Sequence, residues 1–568
     1  MLDPGHIKAS KDRVLYQLII YVMHYKPLLN ILVVIPARGG SKGIPRKNLR
    51  LLAGKPLLCY SIYTALNSSF KPDVFVSSED DEILNTAKKV GAKTHKRDKS
   101  IADDNTTLDP VIFDCYLFAE KNQRKKYDLI ITLQPTSPLL LSKSLDSAIN
   151  KMIINQDIDT IIAAKDSTHL SWRKENEKFI PNYKKRLNRQ YLKPEYTETG
   201  AFLITRSYII SKKNRIGKNV DLVILSNGEE IDIDTYEDWN LCEYYLKRKH
   251  IIFVVTGNSN VGLGHVYNTL LIANDILNHQ ITFLVDEDSE LAFKVIKSKN
   301  YPVLMQEKIN IIEDINKLSP DIIINDLLDT SEEYVKTLKN NNYKVINFED
   351  LGTGSQHADI VFNAIYPEKN ALPNHYFGQD YFILRDEFIF SREKSIKEKV
   401  QNVLITFGGV DPNNYSEKVV RTIYKYCKEN HIKITLITGF GYNNYDTINK
   451  FKSIDIKQNI SNISDYMLNA DLVFTSAGRT LYELASLGTP AIVMGQNDRE
   501  MTHFFGSSKY GFSNLGLGYN LPDELLFQEF LRLVNSFEIR KHMSDLMKKQ
   551  NLKNGRNKVN KLIKKLIE

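Results

Sequence analysis

The feature that most restricts the fold is an alternation of short β-branched runs with helical stretches, which starts at Ile31 and begins afresh twice further along the chain. From Ile31 the sequence reads ILVVIP, KPLLCYSIYTAL, DVFVSS and DEILNTAKKVGA, and DLIITLQ at 128–134 continues the series. Strand-length apolar runs separated by helix-period segments build βαβ units, hence a mostly parallel sheet with helices on both faces. At His250 the rhythm restarts with HIIFVVTG, GLGHVYNTLLIANDIL and ITFLVD, and near 400 it restarts with VQNVLITFGG, IKITLITG, DLVFTS and TLYELASLG. The fold class expected is therefore α/β throughout: an N-terminal extension over 1–30, a Rossmann-like domain over 31–249, and a two-lobed module with lobes at 250–395 and 396–568. In the two-lobed module a ligand cleft belongs at the C-terminal ends of the strands. The lysine-rich stretch 173–193 reads as an excursion outside the first sheet.

A length of 568 residues suits several folding units, and a composition of 42% hydrophobic and 25% charged residues excludes a fibrous or largely disordered chain. The formal charge of +8 is unevenly placed: residues 1–250 hold 40 Lys and Arg against 30 Asp and Glu, the remainder 36 against 38. Scattered lysines of this number fit a phosphorylated small molecule at least as well as a nucleic acid. The four cysteines are far apart and form no CxxC pair, so neither a zinc site nor a disulfide framework is implied, and a reducing cytoplasm is the expected compartment. In the leader, VLYQLIIYVM is interrupted by His24, Lys26 and Pro27 before it reaches the roughly 18 apolar residues of a membrane span. An accessory helix, or an upstream start, is expected there rather than a membrane anchor. The C-terminal KKQNLKNGRNKVNKLIKKLIE reads as a basic amphipathic helix packed back on a lobe with its lysine face in solvent.

Two loops carry chemistry. Residues 35–49, IPARGGSKGIPRKNL, end a strand and place Arg38, Lys42, Arg46 and Lys47 among Gly39, Gly40 and Gly43. Glycines let the backbone approach a phosphate chain and the cations balance its charge. The loop is neither a GxxxxGK[ST] phosphate loop nor a GxGxxG dinucleotide fingerprint. Further on, IDIDTYEDW (231–239) offers Asp232 and Asp234; in an extended run residues two apart share a face, so both carboxylates can meet one hard cation such as Mg²⁺, with an acidic strand end facing water as the plainer alternative.

These blocks resemble the CMP-sialic acid synthetases, the cytidylyltransferases of nonulosonic acids, over about residues 30–245. IPARGGSKGIPRKNL resembles the CTP loop, SIADDNTT (100–107) the nucleotide loop and LQPTSPLL (133–140) the sugar-side segment, with TGAFLITR (199–206) and IDIDTYEDW following in the same order. The resemblance implies that Arg38 and Lys47 clamp the CTP phosphates and act in catalysis. It implies that Gly39, Ser41, Lys42, Asn48, Asp104 and Thr107 line the nucleotide, that Gln134, Arg189 and Gln190 face the sugar acid, and that Asp232 and Asp234 hold Mg²⁺. It also implies a homodimer formed through 173–193. The expected reaction transfers CMP from CTP to a sialic, legionaminic or pseudaminic-type acid and releases pyrophosphate. Glu198 and Thr199 stand where sialic acid enzymes commonly have Pro-Asn, which leaves the nine-carbon acid open.

In the second half, TGNSNVGLGHVYNTLLIA (256–273) delivers His265 near the start of a helix, where imidazolium is disfavoured and a proton acceptor is favoured, although the turn alone is equally compatible with a structural histidine. FGGVDPNN (407–414) and TSAGRTLYEL (475–484) each follow a strand, and Ser476, Gly478, Arg479 and Thr480 place backbone N–H groups and a cation where a diphosphate would bind. Glu483 is placed either to accept from ribose hydroxyls or simply on an exposed helix face. With FEDLGTGSQHADIVFN (348–363) and YFILRDEF (381–388), this half resembles the UDP-sugar hydrolases of the pseudaminic acid pathway, which share a two-lobed GT-B fold with the glycosyltransferase that makes lipid II. The resemblance implies that His265 activates water against a UDP-amino sugar and that Gly408, Gly409, Ser476, Gly478, Arg479, Thr480 and Glu483 hold UDP. Asn268 and Leu328 depart from the family pattern, which leaves hydrolase, glycosyltransferase and non-catalytic nucleotide-sugar-binding module as open readings of this half.

Overall fold

The computed structural model describes residues 29–41, 43–103, 106–258, 261–368, 372–439 and 441–568; the expected leader helix, Lys42 and Asp104 lie outside the described residues. The chain divides into two compact units, Met1–Lys247 and Arg248–Glu568.

The first unit is built on Ile31–Pro36, whose Leu32, Val33, Val34 and Ile35 are fully buried, as a strand covered on both faces requires. Its side chains alternate between two cores: Val33 and Ile35 pack with Leu58 and Ile62 on one face, Leu32 and Val34 with Ile112 and Cys115 on the other. The sheet has seven strands in the order Val220–Leu225, Thr160–Asp166, Tyr196–Arg206, Leu129–Leu133, Ile31–Pro36, Asp73–Ser78, Lys93–Lys96. Only Tyr196–Arg206 runs antiparallel to its neighbours, so the sheet is mostly parallel as expected. Because Ile31–Pro36 lies between Asp73–Ser78 and Leu129–Leu133, the loop that leaves it emerges where the strand order reverses, the place at which α/β sheets bind ligands. The excursion is a separate hairpin, Trp172–Glu175 with Lys178–Pro181, followed by the single turn Arg189–Tyr191.

The second unit holds two all-parallel sheets. The first has seven strands in the order Val303–Met305, Gln280–Val285, His250–Val255, Ile322–Asp326, Lys344–Phe348, Ile360–Asn363, His375–Phe377, and the other six in the order Asp455–Gln458, Lys433–Thr438, Asn402–Ile405, Leu472–Thr475, Ala491–Gly495, Ser513–Leu517. Each has its own switch point, beyond Val255 in one and beyond Ile405 in the other.

The lobes exchange chain on either side of the expected 395/396 boundary. Ala364, Ile365, Tyr366, Phe382, Leu384 and Phe388 join the core of the C-terminal lobe. In return the last helix, Gly555–Ile567, buries Val559, Ile563 and Ile567 in the core of the N-terminal lobe, and its Lys561, Lys564 and Lys565 face solvent. An amphipathic stripe specifies that a helix must bury one face and not which lobe receives it, so only packing reveals the crossing. All four cysteines are free and buried. Among the described residues no helix is long and apolar enough to cross a membrane.

Candidate functional site

The loop after Ile31–Pro36 is fixed by acids at the end of the neighbouring strand. Gly39 N donates to Glu79 Oε1 at 2.7 Å, and buried Arg97 donates to Glu79 Oε2 from Nε at 3.1 Å and Nη2 at 2.8 Å. A Cβ on Gly39 would lie 2.6 Å from Asp80 Oδ2, so glycine permits this approach. Arg46, in the left-handed region at φ 56°, pairs with Asp80 at 2.7 Å and with Glu82. Of the loop cations, Arg46 is thus committed to the fold of the loop. Asn48 Nδ2 donates to Arg38 O at 2.9 Å and closes the turn from inside.

Lys47 reaches the aspartate segment: its Nζ donates to Ile233 O at 2.6 Å and lies 3.5 Å from Asp234 Oδ1. Here the structure corrects the expected strand. Residues 231–234 belong to no sheet; Ile233 N bonds Thr136 O at 2.8 Å, and Asp234 N and Thr235 N donate to Asp238 Oδ2 at 3.1 and 2.9 Å. The Asp238 bonds start the helix Tyr236–Lys247 and draw the segment away from the sheet edge before it can pair. The two carboxylates consequently sit in different surroundings. Asp232 Oδ1 is buried without a hydrogen-bond partner, the Thr136 hydroxyl beside it missing hydrogen-bond geometry, whereas the Asp234 side chain is 78% exposed. Burial, with the neighbouring Asp234 charge, raises the Asp232 carboxyl above the ordinary carboxylate range despite Thr136 and Lys47.

Two glycines bring the sequence blocks to one point. A Cβ on Gly43 would stand 2.7 Å from Asp234 O. Gly200, at φ +71°, leaves room for Gln134 and Asp232, since a Cβ there would lie 2.9 Å from Gln134 Nε2 and 3.3 Å from Asp232 Oδ2. Among the described residues no group of three or more His, Cys, Asp or Glu is arranged to hold a metal. A partnerless buried carboxylate oxygen beside an open carboxylate nevertheless fits Mg²⁺, which is commonly held by one or two carboxylates together with substrate phosphates. Arg189 and Gln190 do not join this cluster through any hydrogen bond or ion pair among the described residues; they sit on an exposed turn where Arg189 faces Asp166 at 3.9 Å. Thr107 is the residue that opens the helix Leu108–Gln123, without a side-chain cap bond, and Ser41 is half-buried in the loop.

In the second unit His265 is the second residue of the helix Gly264–Asp275, which rises from the N-lobe switch point. Its Nδ1 meets Asp326 Oδ1 at 2.5 Å at the end of Ile322–Asp326, and Asp326 Oδ2 accepts from Asn268 Nδ2 at 2.8 Å. A fully buried carboxylate on Nδ1 fixes the tautomer and leaves Nε2 to accept a proton. Asn268 Oδ1 accepts from Arg479 Nη2 at 2.8 Å, Arg479 Nη1 lies 3.4 Å from Glu349 Oε1, and the guanidinium stacks 4.5 Å above the Phe382 ring. Arg479 thus belongs to a polar chain that joins the lobes. The Phe382, Tyr482 and Phe505 rings continue below it, stacked at 4.0 and 4.1 Å.

Gly408 and Gly409, the former at φ +83°, open into free space, and the turn from Ser476 to Thr480 leaves the adjacent strand at the same sheet end. Ala477 N in that turn donates to Glu500 Oε2 at 3.2 Å. Burial raises Glu500 above the usual range against this bond and that of Gln496 N. Glu483 is not open for ribose alone, since Arg385 Nε donates to it at 2.9 Å. Sequence reasoning missed Glu79, Asp80, Arg97, Glu349 and Glu500 and gave Asp326 no role. For four of these the signal was present as acids at the end of a strand or directly after it, in DVFVSSED, IIIND and NFED.

A cytidylyltransferase family model matches residues 32–236 and a glycosyltransferase family 28 C-terminal domain model matches residues 353–505. The chain is 35% identical over 229 residues to the pseudaminic acid cytidylyltransferase of Campylobacter jejuni, covering 39% of this chain and 97% of that one. It is 25% identical over 487 residues, 82% of this chain and 88% of the other, to a Helicobacter pylori protein named pseudaminic acid cytidylyltransferase and UDP-2,4-diacetamido-2,4,6-trideoxy-beta-L-altropyranose hydrolase. An uncharacterized protein of Methanocaldococcus jannaschii is 30% identical over 272 residues, 44% of this chain, and the match spans 56% of that relative. The glycine-lined cationic loop, the Gln134 segment and the Asp232 segment all fall inside the first match, and the chain belongs to the cytidylyltransferase family, here joined to a glycosyltransferase family 28 C-terminal domain.

Proposed function

We propose that this chain is a bifunctional enzyme of nonulosonic acid biosynthesis. Its first unit transfers CMP from CTP to a nine-carbon sugar acid; its second unit hydrolyses a UDP-linked amino sugar. The names of the Campylobacter and Helicobacter relatives support a pseudaminic-type acid, and the Helicobacter relative joins the same two activities.

The observation that carries the first activity is the convergence of Lys47, Gly43, Gln134 and Asp232 below the loop at the strand-order switch. In the reaction the anomeric hydroxyl oxygen of the acid bonds to the α-phosphorus of CTP, the bond to the bridging oxygen breaks, pyrophosphate leaves with the electron pair and the hydroxyl proton passes to solvent. Charge grows on the phosphoryl oxygens, so Arg38 and Lys47 stabilise the transition state by position and charge. The loop N–H groups align the phosphates, and Gln134 orients the sugar acid. Asp232, with Asp234, would hold Mg²⁺, which when bound supplies further neutralisation of the phosphates. Lys47→Ala is expected to lower CTP turnover on the order of 10²- to 10³-fold while the thermal midpoint stays close to wild type; near-normal turnover would remove this role.

In the second unit, His265 Nε2 takes a proton from water, the water oxygen bonds to the anomeric carbon, and UDP leaves with the electron pair of the broken bond. Asp326 keeps the imidazole oriented, and Arg479 with the amides of the 476–480 turn and the Gly408–Gly409 loop holds the diphosphate. The full chain incubated with a UDP-diacetamido-trideoxy sugar and no acceptor is expected to release UDP and free sugar, and His265→Asn to abolish it. Turnover only with an acceptor would make the unit a transferase, and binding without turnover a sensor. A homodimer through the exposed hairpin and a cytoplasmic location complete the proposal.

A further inference from the structure

We infer that Arg479 has two competing partners, the Glu349 carboxylate and the diphosphate of UDP, and that binding of UDP transfers a proton from solvent to Glu349, making Glu349 a positioning residue of the second site; this rests on the UDP-sugar reading given above.

Arg479 is presented by the 476–480 turn at the start of the helix Thr480–Leu487, yet its guanidinium is directed across the lobe boundary. The contact to Asn268 is short at 2.8 Å, and the contact to Glu349 Oε1, at 3.4 Å, is longer than the 2.7–2.9 Å typical of a charge-assisted bond. The pair is loose on the carboxylate side. Glu349 is 3% exposed, and its Oε2 is buried without a hydrogen-bond partner, the nearby Ile365 amide missing hydrogen-bond geometry. Its backbone has φ +52°, which a non-glycine residue rarely adopts, held by the bond from Glu349 N to Phe362 O at 2.8 Å and by Arg499 Nη2 on Glu349 O. A strained residue has therefore been kept where it places a half-satisfied carboxyl against the one cation of the 476–480 turn.

The charged and titratable groups around Glu349 are Arg479 and Tyr482 from that helix, Arg499, Tyr366, His265 and Asp326. Arg499 spends its guanidinium on Asp329 at 2.9 and 3.1 Å, so Arg479 is the cation that faces the Glu349 carboxyl directly. Asp350, next in the chain, is engaged with Thr330, Asn347 and Gly352. Burial pushes the Glu349 carboxyl up to about 7, with Arg479 and His265 opposing and Asp326 adding to the rise. A diphosphate that captures Arg479 removes the main opposing charge and brings new negative charge nearby. A buried carboxylate that loses its counter-ion takes a proton.

The test is calorimetric titration of the full chain with UDP at pH 8 in two buffers of different ionisation enthalpy. At this pH the terminal phosphate, with a second pKa of about 6, is fully ionised and contributes no proton of its own. Wild type is expected to take up a large fraction of one proton per UDP, and the uptake is expected to diminish as the pH is lowered toward 6.5, where Glu349 already carries it. Glu349→Gln is expected to bind UDP at least as tightly with no uptake, and His265→Asn to retain the uptake. Binding by wild type without uptake, uptake that persists in Glu349→Gln, or uptake lost in His265→Asn would each overturn the inference and leave the UDP site standing. Should Glu349→Gln fail to fold, wild type and His265→Asn decide alone. No binding of UDP by wild type would overturn the site reading and this inference with it.

Discussion

Single residues decide whether the first site can exist. Gly43 and Gly200 carry no chemistry, yet each marks a place where a methyl group would touch the aspartate segment. Gly43→Ala puts a carbon 2.7 Å from Asp234 O, and the segment must retreat. A displacement of that order costs about 10²-fold in rate when it misplaces reacting groups. The variant is therefore expected to lose CTP turnover by about that factor with little change in its denaturant midpoint, measured on the same preparation. At Glu349 the prediction is one of pH. Burial moves its carboxyl from the ordinary 4.5 to about 7, so the folded protein holds that proton more tightly than the unfolded chain does. The stabilisation is complete below about 4.5 and is lost as the pH rises through about 7. Glu349→Gln does not titrate, so the stability of wild type relative to this variant is expected to fall between pH 5 and pH 8, read from urea midpoints at both; a gap independent of pH would refute it. The glycine-cation pattern of the first loop was legible in sequence. The anchoring acids Glu79 and Asp80 show in sequence only as acids after a strand; what they hold does not, because it lies in a loop some 40 residues away in the chain.

At the scale of elements, the strand pattern placed the three sheets and put their loops at the correct ends, since buried parallel strands declare themselves as unbroken apolar runs. Two features escaped it. The IDID run has the alternation of a strand, and a capping bond from Asp234 N to the Asp238 carboxylate takes it out of the sheet. The last helix follows one lobe in sequence and completes the core of the other, and Arg556 within it reaches both Asp275 at 2.6 Å and Asp386 at 2.5 Å. The hairpin Trp172–Pro181 leaves Trp172 53%, Phe179 71% and the nearby Tyr191 69% exposed. Large apolar side chains exposed on a hairpin are costly in water, which supports the homodimer proposed above. Phe179→Asp is expected to shift the protein from dimer to monomer in light scattering without changing the thermal midpoint of a monomer-sized unit; unchanged mass would remove the hairpin as the dimer contact.

At the scale of the molecule, the chain carries two units with separate cores, each with a candidate site at a strand-order switch. A new buried strand begins at His250, directly past the end of the first unit at Lys247. The inter-lobe chain His265–Asp326–Asn268–Arg479–Glu349 was not legible in sequence, since its members are spread over more than 200 positions and only the folded lobes bring them together. The central claim is that the loop around Arg38 and Lys47, facing Asp232, works on CTP. Its most direct test is pyrophosphate release by the purified full chain supplied with CTP, Mg²⁺ and a panel of nonulosonic acids. Release that requires both the acid and the metal, matched by equimolar CMP-linked sugar, is expected; CTP left intact with every acid of the panel would contradict this role of the loop.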